Sequence, residues 1–515
     1  MNFVNKLMNA MGITPEEFDR LNETITLDRI ESPDHFEQME VAVARIEQAM
    51  RQKEKIMIYG DYDCDGICSV SILVKTFAKR NYPVGYYIPS RYKDGYGINE
   101  TLVDEIKKKG YSLIITVDNG VRQFSALKRA KDYGIDVILT DHHEFADVLP
   151  ECFCLIHPFR KRQDPMGQCG AYVAFMLSIR LLNRIDEYLL SLAALATVSD
   201  VMPMNSHNRN LVRYAVQNRL PDAYPNLTLL SRSAPIDERA MGYVIAPKIN
   251  AVGRVMEDAS PNRVVKFLIS EDRSEMLSLA SFIDSVNEER KRLCQSAYSN
   301  LPVESIEKSV LVYSLPSLKE GLIGLVAARI SAQKNKPVIV FTSSENGLLK
   351  GSGRSLPGFS LVDAFEQLSD QIVVYGGHAL AGGLTIREEN LESFTSRIQE
   401  IGETACIQPR SRQVIGMEED DFTYENYLLL RNLGPYGEGF EEPYLSYEFD
   451  TRNLRFMGNQ KQHFRGTLNG NCSLVCFNYD PDKIRKEKIT LIGRLDLDNF
   501  AGNRKIVFTV TEIME

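Results

Sequence analysis

The sequence predicts an α/β protein of several domains: a parallel-sheet domain and a smaller α/β domain joined by a long helix, then a C-terminal β-barrel. Three observations predict it. Between residues 54 and 254, short apolar runs rich in Val and Ile alternate with segments of helical spacing, the pattern of strands joined by crossover helices. Residues 260–301 carry a continuous helical stripe, and after residue 433 the helical spacing gives way to short strands.

At 515 residues the chain exceeds one compact domain. Residues 1–45 read as a polar helical segment, 46–259 as the first α/β domain, 260–301 as the connecting helix, 302–408 as the second α/β domain and 409–515 as the barrel. In the first domain, Lys55-Ile-Met-Ile-Tyr59 is a buried strand, and Val70, Leu73, Val74 and Phe77 space a helix over 67–80. Leu113–Val117 and Ile135–Thr140 are further strands around a helix over 122–133. Buried helices follow over 171–192, and their apolar run ends at Asp200. Met276, Leu279, Ile283, Val286 and Leu293 mark the connecting helix, a stripe that denotes packing between lobes. Strands at 310–313 and 337–341 flank a helix over 323–334. A turn-rich link at 433–440 precedes five strands near 445–454, 463–468, 473–477, 489–497 and 505–510.

The strand ends carry the chemistry. The first strand ends in Asp61-Tyr-Asp63-Cys-Asp65-Gly66, the next in Asp118-Asn119-Gly120 and the third in Asp141-His142-His143. Parallel strands align their carboxyl ends, so these groups converge on one crevice although about eighty residues separate them. Carboxylates held that close repel one another and take up protons unless a cation joins them. A lone DxD is most often a turn or helix cap, and a lone His pair is most often structural. Three such groups, each directly after an apolar strand, point to metal. Carboxylates with one or two imidazoles suit Mn²⁺ or Mg²⁺, and no thiolate set argues for zinc. Cys64/Cys68 and Cys472/Cys476 are CxxxC pairs without second pairs nearby and read as ordinary thiols. The donor set exceeds what one octahedral ion needs, so two ions fit it.

These motifs resemble those of the DHH phosphoesterase superfamily, and within it the RecJ-like 5′→3′ exonucleases specific for single-stranded DNA. The resemblance also rests on Pro89-Ser-Arg91, Gly95-Tyr96-Gly97, Asn250-Ala-Val-Gly-Arg254, Gly351-Ser352-Gly-Arg354 and Gly376-Gly-His378, and runs from about Ile56 to the end of the chain. It implies metal ligands Asp63, Asp65, Asp118, His142 and Asp200, with Asp61, Asp141 and His143 as catalytic neighbours, Asp61 an alternate ligand and His143 a phosphate contact or proton-transfer group. Arg91, Tyr96, Arg254, Ser352, Arg354 and His378 match substrate positions. The second α/β domain is similar to DHHA1 domains, and the final barrel looks like an OB-fold. The implied function is two-metal hydrolysis of single-stranded DNA to 5′-mononucleotides in repair or recombination, with a helicase and a single-strand-binding protein as partners. The alternative is a phosphodiesterase of short oligonucleotides or cyclic dinucleotides.

Composition narrows the field further. Sixty Lys+Arg against 69 Asp+Glu give a net charge of −9, which argues against a protein that coats duplexes nonspecifically. Lys93, Arg160, Lys161, Arg162, Lys248, Arg263, Lys350 and Arg387, with Tyr92, Tyr96 and Phe359, are candidates for a basic groove with stacking residues. No targeting signal and no membrane-length apolar run occur. Nine scattered cysteines point to reduced thiols in a cytoplasm, and nothing calls for more than a monomer.

Overall fold

The computed structural model describes the chain apart from residues 1, 96, 147, 159–166, 205, 233–234, 257–260, 303–307, 409–411, 460, 471, 480–482, 485, 499–504 and 515. It comprises two compact units, Glu31–Met202 with Asn218–Arg410, and Met1–Ile30 with Pro203–Gln217 and Ser411–Glu515.

The larger unit holds two sheets. Strands β1 (Ile56–Tyr59), β2 (Gly85–Tyr87), β3 (Leu113–Val117), β4 (Asp136–Thr140) and β5 (Cys154–Ile156) are all parallel, in the order β2-β1-β3-β4-β5. All residues of β1 and β3 are buried, as expected for a parallel sheet covered by helices on both faces. Ile106, Ala126, Leu127 and Ala130 of the helices Glu100–Lys108 and Phe124–Asp132 pack on one side with Tyr59, Ile114 and Leu139. Cys64–Lys79, Gly170–Leu182 and Glu187–Ser199 pack together as the other layer. The strand order reverses between β1 and β3, the position at which such sheets open a crevice beyond the strand ends.

The connecting segment is two helices, Asn262–Ile269 and Arg273–Ser299. The sequence stripe predicts one. Ser270 is extended, and the Asp272 carboxylate caps the second helix by accepting the Glu275 N–H at 2.9 Å, which ends one helix and starts the next. Met276, Leu279, Ile283 and Val286 are buried, as their spacing predicts.

The second sheet contains β6 (Leu311–Ser314), β7 (Val338–Ser343), β8 (Leu348–Arg354), β9 (Ile372–His378) and β10 (Ala381–Arg387), in the order β6-β7-β8-β10-β9, with only β6 and β7 parallel. Its core is Ile339, Phe341, Leu361, Phe365, Leu384, Ile386 and Phe394. Helix Glu320–Lys334 lies against β7 and β8, and Leu361–Gln367 against β9 and β10.

The smaller unit is built on seven strands, β11 (Val414–Gly416), β12 (Tyr444–Asp450), β13 (Arg455–Met457), β14 (His463–Asn469), β15 (Cys472–Phe477), β16 (Lys488–Asp498) and β17 (Lys505–Met514), ordered β11-β12-β16-β17-β15-β14-β13. Two more strands form than the sequence predicts; each spans three residues, too few for period-two alternation to register. Residues from the start of the chain complete this unit: Phe3 and Leu7 are buried with Phe422, Leu433, Phe464, Leu474, Leu491 and Phe508. The segment 1–45 thus divides at Ile30, and helix Met39–Gln52 belongs to the other unit.

Helix Ser206–Gln217 inserts two buried arginines against the carbonyl end of helix Tyr424–Leu433. Arg209 donates to Leu433 O, to Pro435 O at 3.0 Å and to Gly434 O at 3.3 Å. Arg213 donates to Asn432 O and Gly434 O, both at 2.6 Å, and to Glu23 O at 3.2 Å. The positive charges sit where the helix dipole is negative and satisfy carbonyls that the helix end leaves open. Arg213→Ala should cost about 2–3 kcal/mol, the range for hydrogen bonds to a charged group. Hydrogen exchange of the full chain should then show faster opening confined to residues 424–433 and the N-terminal helices; uniform or absent change would contradict this.

Candidate metal centre

Four chain segments deliver the donors. After β1, Asp61 is 3% exposed, and the backbone folds back so tightly that a Cβ on Gly66 would lie 2.4 Å from Asp61 O. Asp63 caps the following helix, its Oδ1 accepting the N–H groups of Asp65 at 2.9 Å and Gly66 at 3.1 Å. Asp65 is oriented from outside its own segment: its Oδ2 accepts Gly170 N–H at 2.6 Å and its Oδ1 Ala171 N–H at 2.7 Å. These are the first N–H groups of helix Gly170–Leu182, where an anion is favoured.

Asp118, directly after β3, has φ +60, an uncommon region for a residue with a side chain. A Cβ at Gly170 would come within 2.6 Å of the Asp118 Cβ, so glycine is required there. After β4, Asp141 accepts from the N–H groups of Val121 at 3.0 Å, His142 at 2.8 Å and His143 at 3.2 Å, and lies 2.8 Å from His143 Nδ1. It is thereby committed to orienting the two imidazoles. Asp200 ends helix Glu187–Ser199.

Three overlapping donor groups result, each with ligand atoms within 4.8 Å of one another: Asp61/Asp63/Asp118, Asp65/His142/Asp200 and Asp118/His142/His143. His142 Nε2 lies 3.1 Å from Asp118 Oδ1 and 3.6 Å from both Asp65 Oδ2 and Asp200 Oδ2. All five sequence-expected ligands, Asp63, Asp65, Asp118, His142 and Asp200, fall in these groups, joined by Asp61 and His143. Asp118 is shared by two of them. Burial, followed by the charge of neighbouring aspartates, holds Asp61, Asp118 and Asp200 well above the usual carboxyl range. Burial lowers His142 and so favours the neutral ring that ligates metal. Asp61 Oδ1, Asp118 Oδ1 and Asp200 Oδ2 are buried without a hydrogen-bond partner, an arrangement that divalent ions satisfy. Oxygen donors with imidazole suit Mn²⁺ or Mg²⁺. For His143, burial acts to lower the pKa but the Asp141 hydrogen bond and charge outweigh it, and the net shift is upward.

On the Asp63 side lies a set of guanidinium groups. Arg91 stacks 4.2 Å above the Tyr62 ring, and its buried Nε has no partner. Arg254 closes helix Ala246–Val255, with Tyr92 Oη donating to its carbonyl at 2.6 Å. Burial and the charge of Arg91 lower Arg254 to about 10. Arg354 ends β8 and donates to Ser352 Oγ at 3.2 Å and to Gly353 O at 2.7 Å. Among the described residues these three arginines form no salt bridge, although Asp63 acts on Arg254 and Arg91 on Asp61 through their charges. His378 ends β9, exposed, and the register sets Arg354, Ala381 and His378 in one row across the sheet. Tyr96 lies outside the described residues.

Four of the residues expected in a basic groove are engaged elsewhere. Lys248 is buried and bound to Asp284 at 2.7 Å, Lys350 pairs with Glu320 at 2.6 Å, Arg263 stacks on Phe282 at 3.8 Å, and Phe359 is buried in the second core. Arg160, Lys161 and Arg162 lie outside the described residues. Sequence reasoning missed Gly170 and the helix start that holds Asp65; no motif marks them, because the contact joins positions about a hundred residues apart. It also missed Tyr62, whose position between two acids was the available signal.

Comparison with known proteins bears on this geometry. The DHH family N-terminal domain matches residues 55–197, the DHHA1 domain 307–403 and the RecJ OB domain 415–512. The chain is 33% identical over 498 residues to the single-stranded-DNA-specific exonuclease RecJ of Bacillus subtilis, covering 92% of this chain and 63% of that protein. It is 31% identical to the RecJ of Escherichia coli, covering 92% of this chain and 90% of that protein. The crystal structure of Thermus thermophilus RecJ in complex with Mn²⁺ superposes with a TM-score of 0.83 at 25% identity, over 99% of this chain and 77% of that one.

Gly170→Ala should weaken Mn²⁺ binding by roughly 10–100-fold, the usual effect of disturbing what orients a ligand, as read by calorimetric titration. Wild-type affinity would contradict the geometry. The raised acids bind protons in the metal-free fold that the unfolded chain has lost. Their stabilising effect is therefore full below about pH 4 and fades as pH rises through the raised values. Mn²⁺ binding should release protons and tighten with pH over that window. Titrations in buffers of different ionisation enthalpy check this, and a binding heat independent of buffer would contradict it.

Proposed function

This chain belongs to the RecJ family of DHH-domain proteins, and from that premise we propose that it hydrolyses single-stranded DNA from the 5′ end and releases 5′-mononucleotides. The observation that carries the reading is the set of guanidiniums of Arg91, Arg254 and Arg354, which form no salt bridge among the described residues and of which Arg91 and Arg254 lie within electrostatic reach of Asp61 and Asp63. Guanidinium binds phosphate oxygens two at a time, so these residues hold the terminal phosphate. The next phosphodiester then lies at the ligand cluster. Asp61, Asp63, Asp65, Asp118, His142 and Asp200 would hold divalent ions, which when bound would activate a water and neutralise charge at the scissile phosphate. His143, fixed through Nδ1 by Asp141, keeps its other nitrogen for the departing 3′ oxygen, to which it hands a proton. Cleavage of the bond to that oxygen leaves a mononucleotide and a shortened strand with a new 5′ phosphate, which refills the arginine pocket.

Ser352 and His378 lie beside Arg354 on the second sheet and contact the same nucleotide. A strand must be unpaired to enter, so a helicase supplies the substrate and a single-strand-binding protein competes for it. All donors come from one chain, which supports a monomer. No described helix is long and apolar enough to cross a membrane, and all nine cysteines are free; both accord with the cytoplasm, where we place the protein.

With Mn²⁺ and 5′-labelled single strands, the label should appear first in mononucleotides, while 3′-labelled strands shorten progressively. Arg254→Ala should lower kcat/KM about 100-fold on 5′-phosphorylated ends, comparable to losing one preorganised charge contact, with little effect on 5′-hydroxyl ends. Internal ladders or release from the 3′ end would overturn the reading, as would a preference for dinucleotides over long strands.

A further inference from the structure

Helix Ala246–Val255 is preceded by a π-turn, Met241–Ile245. The cause lies in the sequence: Pro247 has no N–H to give to the Tyr243 carbonyl, and its ring crowds that carbonyl, so the regular helical bond cannot form. Ala246 instead donates to Met241 O. The widened turn presents Tyr243 outward, 80% exposed. Among the described residues Tyr243 makes no hydrogen bond and no ring contact.

Four contacts place this helix along the centre. From its C-terminal end, a Cβ on Gly321 would lie 2.4 Å from Arg254 O, and one on Gly253 would lie 2.8 Å from Tyr62 O. Asn250 Oδ1 accepts Cys64 N–H at 2.7 Å, and a Cβ on Gly242 would lie 3.2 Å from Val198 Cγ1, two residues before Asp200. The helix therefore passes in order the arginine pocket, the acids after β1 and the end of the Asp200 helix. From residue 245 to 255, only Pro247, Asn250 and Arg254 escape burial. With Tyr243 they form one stripe at helical spacing, about 16 Å long at 1.5 Å per residue.

We infer that Tyr243 is a stacking platform for a base of the DNA strand on the 3′ side of the cut. The inference rests on the proposed 5′-end reading, which puts the terminal phosphate at Arg254. The strand must then run past Asn250 and Asp200 and leave at Tyr243. Aromatic stacking suits this position because every base presents a π-face, so the platform holds the strand without selecting sequence. The order of contacts also gives the platform a length dependence. A dinucleotide held at Arg254 ends before the stripe does, whereas a longer strand reaches Tyr243.

The test uses the full chain with Mn²⁺ and 5′-phosphorylated oligodeoxynucleotides of two to ten residues. Tyr243→Ala should raise KM for the ten-residue strand about tenfold, leave its kcat unchanged and leave the dinucleotide unaffected, and Tyr243→Trp should restore the wild-type KM. An unchanged KM on the long strand, or equal losses on both lengths, would overturn the platform. Failure of the wild type itself to act from the 5′ end would instead overturn the functional reading beneath it.

Discussion

The constraint on which the rest depends is like-charge repulsion. Asp61, Asp63, Asp65, Asp118 and Asp200 meet in one cluster, and desolvation combined with mutual repulsion opposes the ionisation of Asp61, Asp63, Asp118 and Asp200. Such a cluster is unfavourable for folding unless cations join it. The surrounding architecture can be understood as the means of holding it together. Each acid follows an apolar strand or helix whose position is fixed by the core. Where one would drift, a backbone dipole pins it, as Gly170 and Ala171 do for Asp65.

The second lobe adds Arg354 to the Arg91 and Arg254 of the first. Helix Glu320–Lys334 approaches through Gly321 and Gly324. The first is bare where Arg254 passes, the second where Ser352 and Arg354 lie. Arg91 acts on Asp61 and Asp63 on Arg254 through their charges, and among the described residues these arginines form no salt bridge that would neutralise them. In the proposed reading a phosphate chain would carry the charge that satisfies each side, with metal ions on one side and guanidiniums on the other.

Much of this is legible in the sequence because it is local. Asp-x-Asp-x-Asp-Gly, Asp-Asn-Gly and Asp-His-His each follow an apolar β-branched strand, and the parallel topology does the rest. What cannot be read is set by contacts between distant residues. Gly170 has meaning only beside Asp118, and Arg209 and Arg213 only beside the end of helix Tyr424–Leu433. Phe3 and Leu7 join a core whose strands begin after residue 410. The break at Ser270 shows a different failure: the hydrophobic stripe continues across it, while the Asp272 cap, a local signal, decides the structure. Single basic residues were misleading for a further reason. Long cationic side chains such as Lys248 find buried partners that sequence position does not reveal.

Data collected at the manganese absorption edge from crystals grown with Mn²⁺ would examine the central claim most directly. The account predicts two anomalous peaks roughly 4 Å apart on either side of Asp118, one near Asp61 and Asp63, the other near Asp65, His142 and Asp200. Peaks elsewhere, or a fully ordered acid cluster with no metal at saturating Mn²⁺, would contradict it.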